Sequence, residues 1–157
     1  MPRMNAWLLD FGNACRAAVG VRELMHLVDA PATFAVPLAP DYCRRVVLWQ
    51  ERLLPVMDIA ARVGAQPCNA SFLAVIGYQR QRGEYPQFGA LMLSSPPRQL
   101  AVSDEQTCPL PDEGSAWQEL AISCFEHQGA PVPVLNLRRI FSSAPRDANS
   151  THGGAMS

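Results

Sequence analysis

Apolar residues along this chain come in runs of roughly five to eight, separated by turn formers, as in NAWLLDFG, FLAVIGYQ and FGALMLSS. Fourteen prolines and ten glycines do much of the cutting. Short runs at this spacing are what a β-sandwich or barrel requires, since each strand crosses a small core once and then turns. The pattern predicts strands at 5–12, 15–20, 46–50, 52–57, 71–79, 88–95, 99–104, 119–127 and 130–136. In VRELMHLV (21–28), Val21, Leu24, Met25 and Val28 fall at i, i+3, i+4 and i+7, which predicts a helical turn or two, although the same run also suits the start of a strand.

A half-repeat gives the best helix signal. LLPVMDIAARVG (53–64) and APVPVLNLRRIF (130–141) align Pro55-Val56-Met57-Asp58-Ile59 with Pro133-Val134-Leu135-Asn136-Leu137. Asp58 and Asn136 suit N-caps, because their side-chain oxygens accept from the free N–H groups of a first helical turn. Gly64 then stops the first helix, where a left-handed residue is wanted. Pro55 and Pro133 cannot donate to a ladder, which predicts an edge strand or a bulge at each. Val56, Met57, Ile59, Val134, Leu135, Leu137 and Ile140 are assigned to the core. Strand, capped helix and stop occurring twice predict two small pseudo-equivalent barrels, with a groove between them suited to a partner. QRQRGEYPQ (79–87) reads as a polar hairpin loop and CPLPDEGSAW (108–117) as a longer proline-rich connection, neither of them a domain linker. Residues 143–157 hold almost no large apolar side chain and are expected to form a disordered tail.

Composition narrows the function classes. With 48% hydrophobic residues, 17% charged and a net charge of -1, the chain offers no general electrostatic case for a nucleic-acid polymer. Its apolar runs are too short for membrane insertion, and MPRMNAW lacks the apolar stretch of a signal peptide, so a cytoplasmic protein is expected. The five cysteines are scattered without a CxxC pair, which predicts reduced, mostly buried thiols and neither a metal site nor a cofactor site. Catalysis has little to build on. Cys43 beside Arg44 is the best nucleophile, since cationic neighbours favour a thiolate, but no third group orients a base for it among His26, His127 and His152.

Over residues 5–142 the chain resembles the CheW-like domain, the coupling module of bacterial chemosensory arrays. The resemblance rests on the order of six segments: WLLDFGNACRAAVGVRELMHLV, PLAPDYCRRVV, LLPVMDIAARVG, FLAVIGYQ, LAVSDEQTCPLP and GAPVPVLNLRRIF. It implies a mainly β fold of two intertwined five-stranded barrels with a few short helices, spanning residues 1–142, and no enzymatic activity. It also implies a scaffold that joins the cytoplasmic tip of a methyl-accepting chemoreceptor to the regulatory domain of a CheA-type histidine kinase. The chain departs from the family in one place. Members read roughly Gly-Val-Val-Asn-x-Arg-Gly ahead of the Pro-Val-x-Asp element, where this chain has Arg45-Val46-Val47-Leu48-Trp49-Gln50-Glu51. Glycine at a hairpin tip supplies a positive φ that Glu tolerates poorly, which predicts a different turn at Gln50 and Glu51.

That altered hairpin holds the candidate partner-binding residues Arg45, Leu48, Trp49, Gln50, Glu51 and Arg52. Leu48 and Trp49 are neighbours on a strand, so they face opposite ways and at most one enters the core. An exposed Trp49 would be a suitable anchor for a partner. A second reading gathers Arg44, Arg45, Arg52, Arg80 and Arg82 around the Trp49 ring as a site for a cyclic dinucleotide or another phosphorylated ligand, the guanidiniums forking onto phosphates. The plainer reading leaves these arginines solvated and paired with Glu51 and Glu84.

Overall fold

The hydrophobic runs are long because the central strands are buried on both faces. The computed structural model describes residues 3–29, 32–111 and 116–142; the expected tail at 143–157 lies outside the described residues. Strands β1 (Arg3–Asp10), β2 (Arg16–Gly20), β9 (Arg98–Ser103), β10 (Ala121–His127) and β11 (Ala130–Leu135) form one curled sheet in the order β10-β11-β2-β1-β9. Strands β3 (Leu24–Asp29), β4 (Thr33–Ala35), β5 (Arg45–Trp49), β6 (Arg52–Met57), β7 (Phe72–Tyr78) and β8 (Gln87–Leu93) form the other, in the order β3-β7-β8-β6-β5-β4. The mainly β architecture expected from the sequence is present.

The half-repeat is structural. Each sheet contains a hairpin whose second strand continues into a parallel partner at the residue after its proline: Val56 pairs Ala90 on β8, and Val134 pairs Ala18 on β2. Each hairpin is followed by a capped short helix, α1 (Ile59–Arg62) after β6 and α3 (Leu137–Ser142) after β11. Asp58 Oδ1 accepts from Ala61 N at 3.1 Å, and Asn136 Oδ1 accepts from Arg139 N at 3.3 Å. Gly64, at φ 84°, ends α1 as expected. Neither proline-bearing strand lies at an edge, and the one bulge in these two hairpins falls on β10, opposite Leu135 and Val134. A proline removes a donor on one side of its strand only, so interior strands accommodate it where the second ladder begins just beyond.

Each sheet also closes on itself by the same route. After β9 a single 3-10 turn (Asp104–Gln106) delivers Thr107 to a bridge with Phe125 on β10, and Cys108 N donates to Cys124 O at 3.0 Å. In the other sheet the chain beyond β3 delivers β4 to β5. That makes β4 a sixth strand not expected from the sequence.

Two further segments, 21–28 and 116–120, differ from expectation. VRELMHLV contributes β3 and not a helix. A bulge between Leu24 and His26 breaks the two-residue alternation, so Leu24 and Leu27, three apart, both pack on the central core and imitate helical spacing. α2 (Ala116–Leu120) stands where the sequence predicts connection and strand.

Three clusters make up the core. Leu8, Ala18, Phe125 and Val132 fill the first barrel. Val47, Leu54, Val56, Leu73, Val75 and Ala90 fill the second. Between the sheets, alternate residues of the same strands, among them Leu9, Val19, Ala74, Ile76 and Leu91, meet Ile59, Leu137, Ile140 and Phe141 from the helices. Six of the seven core assignments made on the repeat are buried, and Val134 is half-buried. Arg62 ties the two helices together, donating to Ile140 O at 2.8 Å while its guanidinium lies 4.8 Å from the Tyr42 ring centroid.

Asp58 is the one buried charged residue among those described, and its second carboxylate oxygen accepts from Cys68 N at 3.1 Å. Asp58→Ala removes a cap and strands a buried N–H, so a loss of about 2–3 kcal/mol in a urea unfolding curve is expected. A loss below about 0.5 kcal/mol would show that the carboxylate does not hold this loop.

Candidate docking site

The β5–β6 hairpin closes on a two-residue turn, Trp49 pairing with Arg52 across Gln50 and Glu51. Both turn residues have positive φ, 48° for Gln50 and 64° for Glu51, so the positive-φ turn that the loss of glycine was expected to change is present. Its counterpart in the other half is Gln128-Gly129, with φ 53° and 78°. Such primed turns match the twist of the strands they join, and the paired strands hold the non-glycine residues there. Glu51→Gly should therefore stabilise the protein by about 1 kcal/mol, a rise in Tm of roughly 2–4 °C. An unchanged or lower Tm would mean that Glu51 makes compensating contacts.

Register decides which hairpin side chains face outward. Val47, Leu54 and Val56 point into the barrel and are buried. Their neighbours point out: Leu48 is 59% exposed and pairs with Leu53 at 43%, Val46 pairs with Pro55, and Phe34 on β4, 55% exposed, pairs with Val46. Directly opposed residues share a face. Phe34, Val46, Leu48, Leu53 and Pro55 thus form one apolar strip on the outer surface of β4, β5 and β6, of a kind that marks an interaction surface on a globular protein. Phe34, Val46, Leu53 and Pro55 are not among the partner-binding residues expected from the sequence. The signal that could have found Leu53 and Pro55 is the hairpin register itself, once the turn is fixed at Gln50-Glu51.

Trp49 turns inward. Its ring is half-buried against the second barrel's core, with centroids 5.5 Å from Phe88 and 6.5 Å from His26. Arg52 lies over the other end of this stack, its guanidinium carbon 5.1 Å from the Phe88 centroid. Leu48 is the member of the pair that faces solvent.

The arginines are divided between opposite ends of the barrel. Arg52 opens β6 at the hairpin tip, and because β6 and β8 run parallel, the loop bearing Arg80 and Arg82 leaves the sheet at that same end. Arg45 pairs with Val56 at the far end of β5, four residues from Trp49, or roughly 13 Å at strand rise. Its guanidinium is occupied, Nε donating to Thr33 Oγ1 and an Nη to Thr33 O at 2.8 Å. Arg44 pairs with Asp41 at 3.7 Å, not with Glu51 or Glu84. A single pocket of all five guanidiniums around Trp49 is therefore not formed, and the geometric premise of a cyclic dinucleotide site there is absent. Arg80 instead borders an open groove of about 390 Å³ with Arg138 and Arg139, where Arg138 Nη1 donates to Arg80 O at 3.1 Å.

Cys43 is buried, and that burial pushes its thiol up to about 11 despite the opposing charge of Arg62. The adjacent Arg44 does not activate it. No cluster of His, Cys, Asp and Glu suited to a metal ion is found among the described residues, and none of the described helices is long and apolar enough to cross a membrane.

Comparison with known proteins gives the family and the fold. The model of the CheW-like domain matches residues 13–145. The chain is 27% identical over 135 residues to the chemotaxis protein CheW of Rhizobium meliloti, covering 85% of this chain and 83% of that one. The probable chemotaxis protein CheW of Rhizobium etli matches at the same identity and coverage. Among solved structures, the scaffolding protein TtCheW from Thermoanaerobacter tengcongensis superposes with a TM-score of 0.73 over 90% of this chain and 89% of that one, at 11% identity, a likeness of fold. The chain belongs to the CheW-like domain family, whose members are non-catalytic scaffolds of chemotaxis signalling.

Proposed function

We propose that this protein couples the cytoplasmic tip of a methyl-accepting chemoreceptor to the regulatory domain of a CheA-type histidine kinase, working in the cytoplasm and recruited to membrane-associated receptor arrays. The kinase domain docks on the outer strip of β4, β5 and β6, with Leu48 as its central contact and Leu53 and Phe34 beside it. Gln50 and Glu51 at the tip, with Arg45 and Arg52 at the two ends of the hairpin, form the polar rim. Trp49 acts from beneath, holding the hairpin in position through its packing on Phe88. The observation that carries the reading is the contiguous exposure of Phe34, Leu48 and Leu53 on paired strands, where an isolated protein would be expected to place polar side chains.

Isothermal titration calorimetry of the full chain against the regulatory domain of the CheA-type kinase from the same cell tests it. Micromolar binding with a negative heat-capacity change is expected, because the contact is apolar. Absence of heat with the kinase domain, with a receptor-tip fragment titrated in parallel, would overturn the kinase assignment. A cyclic dinucleotide panel run beside it is expected to be silent.

A further inference from the structure

Cys108 and Cys124 form a pair that the scaffold role does not use. Thr107 bridges Phe125 in antiparallel register, which places Cys108 directly opposite Cys124 across the seam that closes the first barrel. Cys108 N donates to Cys124 O at 3.0 Å, and the two Sγ atoms lie 3.3 Å apart. Opposed residues of an antiparallel ladder have Cα atoms about 4.5–5.5 Å apart, within the range a disulfide spans, so the bond can form with little backbone movement. The two thiols are unequal in access. Cys108 is half-buried at the start of the proline-rich connection, whereas Cys124 is 3% exposed on β10.

We propose that Cys108 and Cys124 are an oxidant-sensitive dithiol site at which hydrogen peroxide installs a reversible intramolecular disulfide across the barrel seam. The chemistry takes two steps. The Cys108 sulfur attacks the peroxide oxygen, breaking the O–O bond, and becomes a sulfenic acid while the peroxide leaves as water. The Cys124 sulfur then displaces that hydroxyl, forming the S–S bond and releasing a second water; both thiol protons end in water, and the two sulfurs together lose two electrons to the peroxide. A cellular dithiol reverses the change by exchange. Burial pushes the Cys124 thiol up to about 12, with the Cys108 sulfur adding to the shift, so Cys124 resists direct oxidation and serves as the resolving partner. Cys15 is near enough to Cys68 to add to the upward shift of that thiol, but the sulfur–sulfur contact found among the described contacts is that of Cys108 with Cys124.

The disulfide closes a loop that contains α2, fastening the connection to β10. The test uses the full chain treated with hydrogen peroxide, then denatured, alkylated and digested with an endoproteinase specific for glutamate. That enzyme cuts between the two cysteines at Glu113 and Glu119, whereas trypsin would leave both on one peptide. The expected result is loss of two of the five thiols, a linked Cys108–Cys124 peptide lighter than its reduced parts by two hydrogen atoms, a Tm raised by about 5 °C or more, and full reversal by dithiothreitol. In Cys124→Ser, whose fold is checked by its melting curve, Cys108 should stop at a sulfenic acid that a dimedone probe labels. Oxidation of Cys108 to sulfinic acid without a linked peptide, a disulfide between two molecules, or five unchanged thiols would each overturn the proposal.

Discussion

Leu48→Asp is expected to weaken binding of the kinase regulatory domain by about 30-fold or more while leaving the fold intact. Leu48 sits at the centre of the outward strip and is 59% exposed, so its free-state environment is mostly water. An aspartate there costs the isolated protein no more than about 0.5 kcal/mol, or a Tm change under roughly 2 °C. In a docked complex the same carboxylate would have to lose its water against an apolar surface. A central contact of this kind is worth about 2 kcal/mol or more, which is the expected factor in Kd. Leu53→Asp should behave in the same way, and the double variant should lose less than the sum, because the two residues pair directly across the hairpin. Trp49→Ala provides the contrast. Its ring packs on Phe88 inside the barrel mouth, so its removal should cost stability of about 2–3 kcal/mol, with affinity falling only as far as the hairpin loosens. Calorimetry and a thermal melt on each variant separate these outcomes, and wild-type affinity in Leu48→Asp would remove the strip from the docking surface.

Phe141→Ala should destabilise the protein by about 3–5 kcal/mol, which lowers Tm by roughly 6–20 °C. The side chain is 4% exposed and stacks on Tyr78 with centroids 5.7 Å apart and planes 16° from parallel. Its ring also occupies the space above Gly89, where an added Cβ would fall 2.5 Å from Cε1. Through these contacts the helix that follows the first sheet is seated on the second. Gly89→Ala alone should cost about 1–3 kcal/mol by overpacking. Combined with Phe141→Ala it should cost less than the two summed, since the space the methyl needs has been vacated. Additive losses in urea unfolding curves would show that the ring does not rest on Gly89.

Where the backbone needs were local, residues could be read directly from the chain. Asp58 and Asn136 cap helices because a short acceptor at that position satisfies the next turn's N–H groups, and Gly64 ends one because it takes a positive φ. The half-repeat placed both units before any pairing was known. The candidate hairpin was located as a segment with Leu48 among its residues, but which of Leu48 and Trp49 faces outward was not. Leu48 and Trp49 are both large and apolar, and nothing in their order says which faces the barrel. The arginine cluster failed for a related reason. Closeness in sequence put Arg45 and Arg52 together, whereas a hairpin sends its two strands apart from the tip, leaving Arg45 opposite Val56.

Taken alone, then, the sequence determined the β class, the twice-used strand and capped helix, the membership suggested by six ordered segments, and the position of the candidate hairpin. These are properties of short windows, fixed by dihedral preference, capping and alternation. The tertiary structure decided the rest. It placed β4 beside β5, set Phe34, Leu48 and Leu53 on one face, turned Trp49 inward, separated the arginines and brought Cys108 opposite Cys124. Each of those facts depends on the register in which strands pair and on the sheet they join, and pairing is set by which faces can be buried together, a condition that the order of residues in one strand does not contain.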